Sequence, residues 1–532
     1  MAEQETVPDF GEHFDAVIIG AGMGGLVCGA LLAKAGRKVI IIERHDKPGG
    51  YVTSYDRKGY RFQVPHIMGG CGQGGPLTRL FDHLGVRTEF KQVDPFMRFI
   101  YPEHDISMGS DIEAYKDALK DGFQPQTESI NRFFAAMASV QKGLDERMMR
   151  KPMAAGDMLL KIAYPVLHPR MLGYMVSGTT FQKVLDKYLG DDRLKTVVST
   201  PWPFLGAPPW ELSALSMMGM LKSFADGAYV PVGGYQVLAD DLAKAFTDAG
   251  GTFLLGHEAT AVNTERSPGP TTARKVSEVE THPRARVACD VVVSDADSKR
   301  TFLKLLDREN FSSTFLERID EGPVSMTGFV IHLGMAREVP EGLAEGVTFV
   351  QPSYEEQETL DEHGVMDRYP DPAKLRFSLM AHSITDDSLA PPGKTCLDVL
   401  VPAVPYRFMR RWGAEPGGVR GEKYQEIKEK YAEVVTEAVR LAFPDLIGNV
   451  EAYDISTPIT YERYTMAVDG CWYDSAPVPS QTLGRRPGPR TPLRGLFVTG
   501  SKSVLGGGIY ASALSGLIAA DSVLKGRLRN LY

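Results

Sequence analysis

The residues whose type and spacing could do chemistry begin with three glycines and an acid. Gly20, Gly22 and Gly25 fall in the order G-x-G-x-x-G within FDAVIIGAGMGGLVCGALLAKAGRKVIIIE, residues 14–43. Gly20 permits a tight turn, Gly22 lets the backbone approach a pyrophosphate, and Gly25 lets a helix pack closely on a sheet. Met23 and Gly24 complete the turn. Its N–H groups can hold phosphate at a helix N-terminus without a basic side chain. Glu43 lies further on, at the distance where a carboxylate can accept from ribose hydroxyls. The elements that must position these groups are equally readable. Val17, Ile18 and Ile19 form an apolar run suited to a buried parallel strand. A helix is predicted from about Gly24 to Lys34, ended by Ala35-Gly36, and Val39 to Ile42 form the next strand, with Glu43 at its tip. Strand, turn, helix, strand and acid together predict a dinucleotide site.

Two further glycine runs narrow the ligand. Arg44 and then Pro48-Gly49-Gly50-Tyr51 follow the acid, where a glycine pair lets the chain fold back over the dinucleotide. In place of the third strand of an NAD dehydrogenase comes GYRFQVPHIMGG, residues 59–70. Near the far end, Leu496-Phe497-Val498-Thr499-Gly500 reads as a buried strand. Gly506-Gly507-Gly508-Ile509-Tyr510 then opens a helix of small residues, Ala511 to Leu524, a second helix N-terminus able to reach the same ligand. This layout of glycine turn, acid, Arg and Gly-Gly resembles the FAD-binding half of the amine-oxidase and phytoene-desaturase flavoprotein superfamily. The stretches Tyr229–Asn263, Cys289–Asp297, Asp386–Ala403 and Thr457–Thr465 extend the likeness. The chain resembles the phytoene desaturase, carotenoid isomerase and retinol saturase family from about Phe14 to Leu524.

The resemblance implies an α/β fold in which a Rossmann-type FAD-binding domain is interleaved with an α+β substrate domain. Residues 1–80, 225–305 and 485–532 are expected to surround one FAD. Residues 81–224 and 306–484 are expected to build the substrate side, with a helical, Met-rich region at 126–224. The expected cofactor contacts are Gly20, Gly22, Met23, Gly24, Gly25, Glu43, Arg44, Gly49, Gly50, Tyr51, Ala259, Gly500, Ser501, Gly507, Gly508 and Ile509. His66, directly after the FQVP strand, is a candidate proton shuttle or a backbone partner. Tyr510 is expected beside the ring system or as packing. Glu462 and Arg463 in TPITYERYT are candidates to polarise a polyene, or a structural ion pair. Cys471 precedes an aromatic pair, Trp472-Tyr473, much as a flavin-linking cysteine does in monoamine oxidases, although desaturase relatives bind FAD without a covalent bond. The activity implied is oxidation of a hydrophobic isoprenoid or polyene, by desaturation through hydride transfer to the flavin. Cis–trans isomerisation or saturation of a polyene is the alternative, and amine oxidation a weaker one.

Composition excludes other classes. The chain has 532 residues, 43% hydrophobic and 24% charged, enough for a large core and two or more domains. A net charge of −8 and no basic stripe argue against nucleic-acid binding. The five cysteines form no C-x-x-C pair, so neither a zinc site nor a disulfide framework is expected, and a reducing cytoplasm fits. The N-terminus is acidic and polar, unlike a signal peptide, and reads as a flexible lead-in. The pair Gly233-Gly234 lacks the G-x-G-x-x-G spacing, so no second dinucleotide fold is expected. The Met-rich turns are either gap-filling core or the entrance for a long apolar substrate. The stretch 154–173 mixes apolar residues with Lys161, His168 and Arg170, which favours peripheral membrane contact, although Pro165 and Pro169 break it up.

Overall fold

The structure is a computed structural model. It describes residues 12–149, 168–267, 274–340, 342–356, 369–407, 411–415, 419–482 and 485–531. The strand Phe14–Ile19 forms because its apolar run can be covered on both faces. It pairs in parallel with Val39–Glu43 on one side and with the last residues of Arg286–Ser294 on the other. Outside these lie Thr252–Leu255 and Leu496–Val498, also parallel. The strand Arg286–Ser294 also continues into an antiparallel meander with Arg274–His282 and Glu258–Arg266, completing a seven-stranded sheet. The helices Met23–Lys34, Tyr235–Asp248 and Ile509–Val523 pack together on one face. Two of them touch backbone to backbone. A Cβ on Gly516 would lie 2.7 Å from the Gly24 carbonyl oxygen, so only glycine fits there.

A second seven-stranded sheet runs in the order Val450–Ser456, Gly328–Met335, Thr395–Pro402, Phe377–Met380, Val347–Val350, Met97–Ile100, Asp105–Met108. The strands Gly328–Met335 and Thr395–Pro402 are buried on both faces, and their side chains alternate in the period of a strand. Phe329, Ile331, Leu333 and Met335 join Leu397, Val399 and Val401 against the helix Glu422–Ala442. Val330, His332, Asp398 and Leu400 occupy the alternate positions, on the face toward the cavity described below.

The segment 112–223 is helical among the described residues, with Thr127–Met149 and Ala214–Ser223 against one another. Met171, Met217 and Met218 are buried in its core, whereas Met220 lines the cavity described below. The strand Ala228–Pro231 pairs with Met68–Gly69 and Phe90–Val93 in a three-stranded sheet. Of the stretch 154–173, residues 154–167 lie outside the described residues, as does the N-terminal lead-in up to residue 11. Among the described residues no helix is long and apolar enough to cross a membrane.

Candidate active site

Ligands of open α/β sheets bind beyond the carboxyl ends of the strands, where the strand order reverses. Here the strands ending at Ile19, Glu43, Ser294 and Val498 bring the glycine turn, the acid, Asp295 and Gly500 to one place. A cavity of about 490 Å³ starts there. It is lined by Gly20, Gly22, Met23 and Gly24, by Glu43 and Arg44, and by Gly49, Gly50, Tyr51 and Ala259. It continues past Gly500, Ser501, Gly507, Gly508, Ile509, Tyr510 and His66 to an apolar end at Leu144, Phe204, Leu205, Leu215, Met220 and Phe224. Gly49 folds the chain back onto the turn: its N–H donates to the Ala21 carbonyl at 2.8 Å, and it adopts a φ of +129°. Gly25 does not reach the cavity. Its missing side chain makes room instead for the Gly20 carbonyl, which a Cβ would meet at 2.1 Å.

Glu43 is buried and already bonded. Its Oε2 accepts from the Ala21 N–H at 2.8 Å and its Oε1 from the His45 N–H at 2.9 Å. A carboxylate has about four acceptor sites, so two remain for ribose hydroxyls, and its position at the cavity wall suits them.

Asp295 was not legible as a site residue. It follows the buried strand end directly, and its carboxyl accepts from the N–H groups of Gly22 and Gly25. Burial pushes this carboxyl up to about 6, against the pull of the Lys502 ammonium and those two N–H groups. Lys502 is itself buried, and burial lowers it against the opposing charges of Asp295, Asp474 and Asp297. Its ammonium donates to the Ala296 carbonyl. Asp297 caps the helix Ser298–Leu303 through the Arg300 N–H at 3.0 Å. Arg486, also buried, donates to the carbonyls of Gln481, Ser475 and Ser501 at 2.6, 2.6 and 2.8 Å, tying the loop before the last strand to the turn after it. The only sequence signal for these groups is charge placed directly beside apolar strands and glycine turns.

Glu462 and Arg463 require correction. TPITYERYT is the helix Pro458–Thr465, begun by a Thr457/Thr460 capping box. Tyr461 and Thr465, one turn apart, face the cavity together with Tyr464. Glu462 and Arg463 lie off that face: Glu462 accepts from the Tyr406 hydroxyl, and Arg463 is exposed. Neither lines the cavity. Tyr461 lines the cavity beside Tyr51, Trp472 and Tyr473, 6.1 Å from Tyr51 and edge-on to Trp472 at 5.8 Å. Tyr510 packs on Gly70, where a Cβ would come within 2.6 Å of its ring. Cys471 borders the cavity but is fully buried, and its carbonyl accepts from the Tyr51 hydroxyl at 2.9 Å. Burial first, then Asp297 and Asp474, hold its thiol well above the usual range.

His66 also borders the cavity. Burial lowers its imidazole to about 4, so it is neutral near pH 7. It stacks on His382 with ring centroids 5.9 Å apart.

A model of the NAD(P)-binding Rossmann-like domain matches residues 18–84. All-trans-retinol 13,14-reductase of Danio rerio is 26% identical over 97% of this chain and 86% of its own length. The neurosporene-forming phytoene desaturase of Rhodobacter capsulatus is 25% identical over 96% of this chain and 93% of its own. The chain is a homologue of retinol 13,14-reductases and phytoene desaturases. Among solved structures, an oxidoreductase from Methanosarcina mazei superposes with a TM-score of 0.61 at 18% identity, covering 97% of this chain and all of its own. Putrescine oxidase bound to putrescine gives 0.61 at 15% identity, covering 97% and 99%. These two likenesses concern the fold: an α/β architecture with a Rossmann-type domain.

Proposed function

We propose that the cavity binds FAD and that the chain is a flavin-dependent oxidoreductase of a long apolar polyene or isoprenoid, exchanging a hydride and a proton across a carbon–carbon bond. The observation that carries this reading is the continuity of the cavity, from the N–H cradle at Met23 and Gly24 to the apolar walls at Phe204 and Phe224. The cradle fits the group. A Cβ at Gly22 or Gly24 would strike Asp295, so the tight turn needs glycine at both positions, and Glu43 keeps free acceptor sites beside it. Met23 and Gly24 would hold the diphosphate with their N–H groups, the Gly22 N–H being taken by Asp295, while Glu43 would hold the adenosine ribose and Ser501 with Gly507 to Ile509 the far end of the dinucleotide. The flavin supplies hydride chemistry. The chain's own residues exclude water with Tyr51, Tyr461 and Trp472, and hold the apolar skeleton between Leu215, Met220 and Phe224. The relatives named above act, by their names, on retinol and phytoene, a polyene and an isoprenoid of this kind.

The test is anaerobic. The purified protein should be yellow and release FAD on denaturation. Phytoene in micelles should bleach the oxidised flavin, or all-trans-retinol should reoxidise the dithionite-reduced flavin. Product isomers without any change in the flavin would point to isomerisation instead, and absence of bound FAD would remove the reading. Membrane contact, favoured by the stretch 154–173, is tested separately by flotation with liposomes.

A further inference from the structure

On the cavity side of the second sheet, four polar groups meet among apolar side chains. His332 and Asp398 are direct neighbours across adjacent strands, and both are buried. His332 Nδ1 lies 2.7 Å from Asp398 Oδ1. His382, also buried, opens the short helix that follows the neighbouring strand Phe377–Met380. Its Nε2 is 3.6 Å from Asp398 Oδ2 and makes no hydrogen bond among the described residues. His66 stacks on His382 and reaches the cavity wall. One donor atom each of His66, His382 and Asp398 lie within 4.8 Å of one another, a gap that one water can bridge.

Burial alone would raise the Asp398 carboxyl, but the charge and hydrogen bond of His332, with the charge of the nearby His382, outweigh it and hold the group well below the usual carboxylate range. A buried carboxylate with no cation costs several kcal/mol. The cluster therefore sets one buried carboxylate against His332 and His382, with His66 stacked on the latter. Tyr55 stands edge-on to His332 at 5.8 Å, Tyr235 edge-on to His382 at 6.5 Å, and Ser456 Oγ is 3.4 Å from His332 Nε2. Tyr461 and Cys396 add only weakly acidic groups. Of the other nearby acids, Asp454 is paired with Arg57 at 3.4 Å, and Asp386 accepts from the Gly233 N–H at 2.6 Å.

We propose that His66, His382, Asp398 and His332 form a buried proton relay that exchanges the proton partnering the hydride with the carbon skeleton in the cavity. The proposal rests on the oxidoreductase reading above. His66 is the catalytic residue; the other three store and position the proton. In saturation, one carbon of a double bond gains the hydride from the reduced flavin. The other gains the proton from His66, which the relay and then solvent replace. A two-electron donor must then reduce the flavin again. In desaturation every transfer reverses: His66 takes the proton, and the flavin passes its electrons to an acceptor such as a quinone.

The experiment uses FAD-loaded protein, reduced with dithionite and mixed anaerobically with all-trans-retinol, alongside oxidised protein mixed with phytoene. His66→Gln should keep its FAD and slow the flavin's response about 100-fold. Asp398→Asn should also keep its FAD. Its retinol-driven reoxidation should fall about tenfold per pH unit above neutrality, because the proton must then come from solution, whereas the wild type stays flat to about pH 8. Unchanged rates in both variants would overturn the relay. If neither substrate changes the wild-type flavin, the function reading has failed, and histidine-labelled NMR judges the cluster by itself. One cluster imidazolium should persist to about pH 8 and disappear in Asp398→Asn. Uniformly neutral rings near pH 7, or tight stoichiometric Zn²⁺ capture lost in His66→Gln, would overturn it.

Discussion

The carboxylate of Asp295 stands where the first atom of a side chain on Gly22 would have to go: a Cβ there would lie 2.5 Å from Asp295 Oδ2. The same Asp295 would meet a Cβ on Gly500 at 2.1 Å. Two glycine turns about 480 residues apart in the chain thus close around one acid, whose oxygens accept from the N–H groups of the first turn.

Gly22→Val should therefore lose the cofactor. A valine would collide with Asp295 and push the glycine turn out of the shape that holds the ligand. FAD affinity should fall by about 100-fold or more, roughly 3 kcal/mol. The protein should stay folded, because Gly22 precedes the helix with an extended φ of −72° that valine can adopt. Flavin absorbance per chain after gel filtration reads the outcome; a folded variant with full flavin content would show the site to be misassigned.

Asp295 gives FAD retention a pH dependence with a definite sign. Burial raises its carboxyl to about 6, above the unfolded value of about 3.9. Its contribution to stability is thus fully present below about pH 4 and is lost as pH rises through about 6. A diphosphate bound beside it adds a second anion and favours the neutral acid further. FAD should dissociate several-fold more slowly near pH 5.5 than near pH 8. Asp295→Asn should flatten that profile, which stopped-flow dilution of the flavin would show.

What could be read from the sequence was local. The stretch 14–43 carries its own strand, turn, helix and acid, so its geometry is set by neighbours in the chain, and the structure places its elements as expected. Asp295 and the His332–Asp398 pair depend on pairing between distant segments, which no local pattern specifies. They did leave a trace: a lone His in GFVIHLGM and a lone Asp in TCLDVLVP interrupt strands otherwise made for burial. A buried charge in such a strand has to be paired. The charges of Glu462 and Arg463 stand out in TPITYERYT, but the segment is a helix and its geometry decides which side chains reach the cavity. Its period of 3.6 residues places Tyr461 and Thr465 together and turns the two charged residues away.

That rotation has a measurable consequence. Glu462→Gln and Arg463→Ala should leave turnover and flavin content within about twofold of wild type, with stability changed by no more than about 1 kcal/mol. Tyr461→Ala removes an aromatic wall of the cavity and should weaken substrate binding and admit water at the flavin. Parallel assays of the three variants settle which face of the helix matters.

NADPH should be a poor direct reductant. The helix behind Gly233-Gly234 has no free N-terminus to offer a second dinucleotide. The Tyr235 N–H donates to Gln63 Oε1 at 2.9 Å, the Gln236 N–H to Ser54 Oγ at 3.0 Å, and the Gly233 N–H to Asp386 Oδ2 at 2.6 Å. An anion would have to displace all three. Anaerobic mixing of oxidised protein with NADPH should leave the flavin oxidised over minutes. Fast reduction saturating at micromolar NADPH would mean that a site lies elsewhere.

The flavin should be held without a covalent bond. Cys471 borders the cavity, which puts a sulfur near the ligand, but nucleophilic attack requires a thiolate. Burial and the nearby Asp297 and Asp474 keep this thiol protonated at physiological pH. Its backbone has a separate task, accepting the Tyr51 hydroxyl. Cys471→Ala keeps that carbonyl and should retain full flavin content. Acid precipitation should leave a white pellet and free FAD in the supernatant for wild type and variant alike. A yellow wild-type pellet that turns white in Cys471→Ala would establish the link and place the cysteine beside the ring.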